Sequence, residues 1–173
     1  MKYKTMDIRE LRRLLRIDSD GNIYWRNNHS RKTRAGAIAG TNKVTNTCIY
    51  RRIAIHGKIF YSHRVAWALY YGRWPEDQID HINHVGDDNR KANLREVNNA
   101  ENSKNRSING NSISGCLGVI WNTRHDAWRV TMGIDGKNTT LGEFKNLFDA
   151  VALRKSAENK YGFHENHGDK RTK

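Results

Sequence analysis

The sequence predicts an α+β protein built from two small modules and a polar linker. Short stretches of alternating apolar residues, bounded by turn signals, recur along the 173 residues and indicate strands. Stretches of helical periodicity lie between them. Residues 106–115, RSINGNSISG, are rich in Ser, Asn and Gly, and this composition predicts a flexible linker at a domain boundary.

The N-terminal part predicts one helix and one strand before a long loop. Apolar residues at helical spacing indicate a helix over 7–17. The turn dipeptide Asp20-Gly21 then precedes a strand over 22–26. Residues 27–47 are polar, basic and contain glycine, which indicates mostly loop.

A hairpin and an apolar helix follow. Residues 49–55 and 58–61 carry apolar residues in strand patterns, and His56-Gly57 between them predicts a tight turn. Residues 63–71, HRVAWALYY, predict a short helix.

The segment 76–105 is polar and dense in Asn, Asp, His and Arg. Two short apolar stretches within it, 78–80 and 94–97, predict two strands joined by a long loop. A helix is expected from about Asn99.

Beyond the linker the pattern predicts a three-stranded sheet followed by one helix. Asp135-Gly136 predicts a hairpin turn, Asn146 is a suitable helix cap, and Gly162 is expected to end the helix. Residues 163–173 predict a disordered basic tail. The predicted strands cover residues 119–121, 128–133 and 138–141.

Charge narrows the class of partner. The chain has 31 Lys and Arg against 18 Asp and Glu, a net charge of +13. Basic side chains pair with phosphates and release counterions, so a polyanionic partner is expected. A merely soluble basic protein is the alternative. No apolar run approaches the roughly 18 residues of a spanning helix, so no membrane role is expected.

The N-terminus and the cysteine content bear on the compartment and on structural zinc. The N-terminus lacks the apolar core of a signal peptide, which predicts a cytoplasmic protein. Cys48 and Cys116 are too few for a disulfide framework or a four-cysteine zinc site, so no structural zinc is expected. Both are interpreted as small buried apolar residues.

The densest polar segment has the residue types that phosphodiester hydrolysis requires. Such hydrolysis needs a base for water, a cation to stabilise charge on phosphate, and hard oxygen ligands for that cation. Histidine suits the base, and aspartate and the asparagine amide suit magnesium. An ordinary polar loop is the alternative. The segment contains Asp80, His81, Asn83, His84, Asp87, Asp88, Asn89, Arg90, Asn93, Arg95, Glu101 and Asn102.

The order of these motifs resembles the HNH endonuclease family, in its phage-encoded and homing branch. DHIN, DNRKANLRE and AEN carry the resemblance, preceded by LLRIDSDGNIYWRN, RAGAIAGT and YRRIAIHGKIFYSHRVAWALYYGRWPE. These stretches lie within residues 10–105. The resemblance implies an HNH nuclease domain over 1–105 with a ββα-metal core over about 78–105.

The resemblance also implies roles for four residues. Asp80 ends the first strand and ligates the metal, and His81 is the general base. Asn93 ties the loop together and helps to hold the histidine. Asn102, where many relatives have His, projects from the helix as the second metal ligand. This oxygen-only ligand set favours Mg²⁺, with Mn²⁺ as the alternative, over zinc.

Other residues of the segment receive weaker expectations. Arg90 and Arg95 are candidates for phosphate contacts and equally credible as surface charges. His84, where many relatives have Gly, is expected to be a solvated loop residue. Asn89 is expected to shape the turn and to brace the site. His63 is interpreted as a hydrogen-bonded, partly buried histidine.

Residues 115–162 resemble the plant-type APETALA2 DNA-binding domain, with 106–114 as the linker. LGV, a Trp-containing second strand, LGEF and a helix with small apolar residues carry this resemblance. It implies a three-stranded antiparallel sheet backed by one helix, with the exposed sheet face in the major groove. Because several residues of that face differ from the plant pattern, its base preference is not carried over. A sheet that only stabilises the enzyme or touches phosphates is the alternative.

Strand alternation assigns the two faces of this sheet. One face is expected to meet the helix through Trp128, Val130 and Met132, together with Phe144, Phe148 and Val151. The expected DNA-contact residues on the other face are Asn122, Arg124, Arg129, Thr131, Asn138 and Thr140.

The sequence therefore predicts a metal-dependent, homing-type endonuclease that nicks or cleaves double-stranded DNA. The N-terminal module is expected to cut DNA, and the C-terminal module to hold the enzyme on its target site. No small-molecule cofactor is expected. Oligomeric state and target sequence are not assigned. A non-catalytic sequence-specific DNA-binding regulator is the first alternative, and an RNA-binding or RNA-cleaving protein the second.

Overall fold

The computed structural model describes residues 5–30, 33–44, 49–108 and 111–169. Within these ranges, four α-helices and ten strands form a mixed structure with four small sheets. The chain divides into two compact units, and the division falls between Asn98 and Asn99. None of the described helices combines the length and apolar character that crossing a membrane requires.

The first unit begins with a helix that is shorter than the sequence predicts. Helix α1 covers Ile8–Leu14, and the Asp7 side chain caps it. The chain then continues as β1, Leu15–Ile17, which pairs antiparallel with β2, Ile23–Trp25. Leu15 has extended backbone angles and is fully buried. Pairing and burial therefore override the helical periodicity over 7–17.

A three-stranded sheet follows, in the order β3-β4-β5. Strands β4, Ile49–Ile55, and β5, Lys58–Tyr61, confirm the predicted hairpin. Strand β3, Thr41–Val44, lies where a loop was predicted. All its side chains are exposed, so it leaves no apolar alternation in the sequence and forms through backbone pairing to β4. Cys48, expected to be buried, lies outside the described residues.

The turn and the helix after this hairpin confirm their predictions. His56 and Gly57 have φ of 48° and 74°, the two positive values of a type I′ turn. Helix α2 covers Ser62–Tyr71 and ends at Gly72, whose φ is 69°. Nearly all of α2 is buried, because it packs against α1 and the sheet strands. It is the centre of the first core, which includes Leu11, Leu15, Ile53, Ile55, Val65 and Ala68.

Two strands close the first unit and one helix opens the second. Strand β6, Gln78–His81, pairs antiparallel with β7, Leu94–Val97, as predicted. The loop between them ends in a 3₁₀ turn over Lys91–Asn93. Helix α3, Asn99–Ser103, belongs to the second unit, whereas the first domain predicted from the sequence, residues 1–105, includes it.

The second unit contains an antiparallel sheet of order β10-β9-β8 and helix α4, Leu147–Lys160. The Asn146 side chain caps α4 by accepting a hydrogen bond from the Phe148 amide. The core includes Cys116, Val119, Val130 and Ala150, with Trp128 and Phe144 packed against it. The strands are β8, Val119–Asn122, β9, Ala127–Ile134, and β10, Lys137–Phe144.

Helix α4 packs on the sheet only partly as the sequence predicts: Val151 lies against the core, but Phe148 does not. Phe148, expected in the core, is 77% exposed. The buried positions are Ala150, Arg154, Ala157 and Glu158, and they follow helical spacing. The buried ion pair of Arg154 and Glu158 therefore lies on the helix face that apolar residues were expected to fill. This is why apolar content alone placed Phe148 in the core incorrectly.

The predicted linker and tail are partly folded in the second unit. The Gly168 amide donates to the Arg106 carbonyl at 2.8 Å, and the Ile108 amide donates to the Asp169 carbonyl at 3.2 Å. His167, expected in a disordered tail, is buried and lies 3.1 Å from Nη2 of Arg154. These long-range bonds leave no local sequence pattern. Residues 109–110 of the linker and 170–173 of the tail lie outside the described residues.

Candidate active site

Asp80 and His81 lie at the end of β6. Across the hairpin, Asp80 is opposite Arg95 and His81 is opposite Leu94. Oδ2 of Asp80 accepts hydrogen bonds from Nε and Nη2 of Arg95, at 2.9 and 2.7 Å. Because neighbouring strand residues point to opposite faces, His81 lies on the other side and is only 6% exposed.

The buried histidine is oriented by an asparagine in the loop. Nε2 of His81 lies 3.3 Å from Oδ1 of Asn89. The Asn89 amide nitrogen donates to Oγ of Ser62 at 3.3 Å and to the Asp87 carbonyl at 3.1 Å, which turns its oxygen toward the ring. Neutral His81 therefore carries its proton on Nε2 and its lone pair on Nδ1.

Burial also sets the charge of His81. Burial lowers the pKa of His81 below its usual 6.5, against the opposing effects of the Asn89 hydrogen bond and the carboxylates Asp80, Asp88 and Asp87. The ring is therefore neutral at pH 7, which is the protonation state that a general base requires.

A second histidine packs on the first. The rings of His63 and His81 are perpendicular, with centroids 5.4 Å apart. Tyr50 lies near both. Nδ1 of His63 is buried without a hydrogen-bond partner in the described part of the chain, so the expected hydrogen bond is not formed at that atom. Burial lowers the pKa of His63 to about 3, and the ring is neutral.

Asn93 joins the two ends of the loop between β6 and β7. Its Oδ1 accepts from the Asn83 amide at 3.0 Å, and its Nδ2 donates to the Asp88 carbonyl at 2.8 Å. Its own carbonyl accepts from the Ile82 amide at 3.0 Å. One buried side chain thus holds both arms of the loop that carries the histidine-orienting Asn89.

The two arginines of the segment bind carboxylates of the same hairpin. Nε and Nη2 of Arg90 bond to Asp88 at 2.8 and 2.6 Å, and Arg95 bonds to Asp80. The Arg90 and Asn83 hydrogen bonds lower the pKa of Asp88. Arg90 is therefore a brace of the loop and Arg95 a partner of Asp80.

His84 differs from the expectation of a solvated residue. It is 6% exposed and has a φ of 63°, in the left-handed region. Glycine adopts this region at no steric cost, which explains why a glycine suits this position in the relatives that the sequence resembles.

Distant parts of the first unit support the Asn89 loop. A Cβ at Gly21, whose φ is 81°, would collide with the backbone of Asn89 and Arg90. The Tyr70 hydroxyl donates toward the Asn89 carbonyl at 3.3 Å. Sequence reasoning missed Gly21, Ser62 and Tyr70 as supports, because each is far from the loop in sequence and carries no local signal.

One comparison with known families finds a similarity in this region. Residues 60–104 match the family model of the HNH endonuclease. This segment is similar to HNH endonuclease domains. It runs from the end of β5 through α2 and the β6–β7 hairpin to α3, and so contains Asp80, His81, Asn93 and Asn102. No curated protein and no solved structure matches the chain.

The predicted metal ligands of the HNH domain lie in different units. Asp80 belongs to the first, and Asn102, on α3, belongs to the second, so the ligand role of this pair stays a prediction. Within the described ranges, no three residues of the His, Cys, Asp or Glu type are grouped to hold a metal. The predicted set is of another kind, one carboxylate and one amide oxygen, and its donor chemistry fits a cation such as Mg²⁺.

The outer sheet face of the second unit carries an unexpected carboxylate. Glu143 accepts hydrogen bonds from Nδ2 of Asn122 at 3.0 Å and from Nε of Arg129 at 2.7 Å, and it also binds His125. The His125 and Arg129 bonds lower the pKa of Glu143 to about 2. Two of the predicted DNA-contact residues are therefore bound to an acidic group.

A β-bulge explains the position of this carboxylate. The register between β9 and β10 shifts between Thr140 and Gly142. The extra residue places Glu143 opposite Arg129, on the same face as the Thr131–Thr140 pair, and turns Phe144 toward the core. Arg124 lies in the turn after β8 and is exposed.

Proposed function

We propose that this chain is an endonuclease that hydrolyses phosphodiester bonds of duplex DNA with the aid of a divalent cation. The observation that carries the proposal is the HNH domain, in which a buried, neutral and oriented His81 follows Asp80 at the end of β6. The net charge of +13 supports a nucleic acid as substrate.

His81 acts as the general base in this proposal. Its imidazole takes a proton from water while the water oxygen forms a bond to phosphorus. The bond from phosphorus to the 3′ oxygen breaks, and that oxygen takes up a proton. The products carry a 3′-hydroxyl and a 5′-phosphate. Asn89 keeps the ring in place by accepting the hydrogen bond from Nε2.

Asp80 and Asn102 would hold the cation, with Mg²⁺ favoured and Mn²⁺ as the alternative. A bound divalent cation supplies positive charge to the phosphate and the leaving oxygen. Arg95, bound to Asp80, keeps that carboxylate fixed on the hairpin. We further propose that the protein acts inside the cell as a homing-type enzyme and that the second unit contributes to DNA binding.

A non-catalytic DNA-binding regulator is a second candidate. The two hydrogen bonds from Arg95 to Oδ2 of Asp80 favour it, because the guanidinium occupies an oxygen that would otherwise meet a cation. The two functions differ in whether DNA is cut.

The test is the nicking of a supercoiled plasmid with Mg²⁺ or with a chelator. Wild type is expected to cut with Mg²⁺ only. His81→Ala is expected to lose about 10²–10⁴-fold in rate, the usual contribution of a general base, and to keep salt-sensitive binding. His56→Asn, which changes an exposed histidine in the β4–β5 turn, is the control.

Binding without cutting by wild type would support the regulator instead. An unchanged rate in His81→Ala would remove the histidine from the mechanism. Competition between duplex DNA and structured RNA separates the DNA enzyme from an RNA-directed protein.

A further inference from the structure

The second unit contains a cavity that the proposed chemistry does not use. Its volume is about 690 Å³, which lies in the usual range of ligand sites. Its walls come from the end of α3 and the residues after it, from the β9–β10 hairpin, and from the segment after α4. All these wall residues belong to the second unit.

The cavity is lined by an excess of positive charge. Among its described wall residues, four are basic and one, Asp135, is acidic. Arg154 is buried and paired with Glu158 at 2.9 Å, so its charge is compensated. The basic wall residues are Lys104, Arg106, Lys137 and Arg154.

Two of these cations are available to a ligand. Arg106 and Lys137 are exposed, and within the described residues their side chains make no hydrogen bond or ion pair. Asn138, which strand alternation assigned to the outer sheet face, is also exposed and lines the cavity beside Lys137. A guanidinium, an ammonium group and an amide N–H all donate hydrogen bonds to phosphate oxygens.

The outer sheet face offers less to an anion. There, Arg129 and Asn122 already bind Glu143, so an approaching phosphate would compete with a carboxylate and be repelled by it. On the sheet face Arg129 is therefore paired with a carboxylate, whereas Arg106 and Lys137 at the cavity are not paired within the described residues.

We infer that the cavity binds a backbone phosphate of DNA, so that the second unit holds DNA through the cavity rather than through its outer sheet face. The inference rests on the proposed function. Ser103, a wall residue, directly follows Asn102 on α3. Along one DNA strand, successive phosphates are spaced about 3.4 Å apart in the direction of the helix axis. A strand that is cut beside Asn102 therefore has neighbouring phosphates that Arg106 and Lys137 can bind.

Two double variants of the full chain test this, and each removes two positive charges. Arg106→Ala/Lys137→Ala changes the cavity, and Arg124→Ala/Arg129→Ala changes the sheet face. The affinity for duplex DNA is measured at several salt concentrations, with a metal chelator present to prevent cutting. The cavity variant is expected to bind about tenfold or more weakly and to reduce the salt slope by about 2, as for two lost phosphate contacts. The sheet-face variant is expected to change less.

Further measurements separate the outcomes. Arg106→Lys/Lys137→Arg keeps both charges and is expected to restore most of the affinity, which excludes a folding defect as the cause. Equal affinities of the two alanine variants would overturn the inference, while Mg²⁺-dependent cutting by wild type would leave the proposed function intact. Wild type that neither binds nor cuts DNA would overturn both.

Free deoxynucleoside monophosphate is the remaining probe. Saturable binding that is lost in the cavity variant, combined with unchanged duplex affinity, would assign the cavity to a small anionic ligand and overturn the inference.

Discussion

At the scale of single residues, the site depends on one amide. Asn89 is buried, and its two donor bonds, to Ser62 and to the Asp87 carbonyl, leave its oxygen directed at His81. The sequence indicated a bracing role for Asn89 but not its partner. A hydrogen bond between residues eight positions apart in a loop depends on the path of the chain between them.

Asn89→Ala is expected to lower the single-turnover cutting rate by about 10-fold or more while DNA affinity stays within about twofold, because a misoriented base affects the chemical step. Asn27→Ala, which removes an exposed side chain bonded to the Arg13 carbonyl, is the control. Equal loss of rate and affinity would show a general loss of structure instead.

At the scale of elements, one tight turn of the first unit supports the site loop. The turn between β1 and β2 holds Gly21 against the backbone of Asn89 and Arg90. The turn between β4 and β5 holds Gly57 in a similar conformation, with open space around it. The sequence predicted both turns, but only the packed structure shows which one supports the loop.

Gly21→Ala and Gly57→Ala form a matched pair. Both introduce strain at positive φ, which costs about 1 kcal/mol of unfolding free energy. Gly21→Ala also pushes on the site loop, so we expect a larger loss of stability in urea denaturation and a slower cutting rate. Similar stability and rate for the two variants would contradict a supporting role for Gly21.

At the scale of the whole molecule, the ends of the second unit close on each other. The chain after α3 pairs with the chain after α4, and His167 is buried there beside Arg154 and Glu158. Burial lowers the pKa of His167 to about 4; the Glu158 carboxylate opposes this effect, and the cations Arg154 and Lys155 add to it. The folded unit therefore favours neutral His167.

This predicts a pH dependence of local stability. In the unfolded chain His167 protonates near pH 6.5, and in the fold only near 4, so its stabilisation is complete above 6.5 and is lost as pH falls from 6.5 to 4. The protection of the Ile108 and Gly168 amides against hydrogen exchange, taken as the ratio of intrinsic to observed rate at each pH, is expected to fall over this window. In His167→Gln the change should be smaller, and an equal change in both proteins would contradict the assignment.

Much of this protein was determined by local sequence. Alternation and turn dipeptides predicted the β4–β5 and β9–β10 hairpins, since a type I′ turn and strand periodicity are properties of neighbouring residues. Two short apolar stretches predicted strands β6 and β7. The motif around Asp80 and His81 predicted the HNH domain that residues 60–104 match.

Tertiary structure decided the rest. It assigned Leu15 to a strand, exposed Phe148, buried His84 and His167, and placed Glu143 on the outer sheet face. Each outcome depends on pairing or burial between residues distant in the chain, or on a single inserted residue that reverses strand alternation. The free energies of this pairing and burial depend on residues far away in the sequence, so no local sequence pattern reveals them.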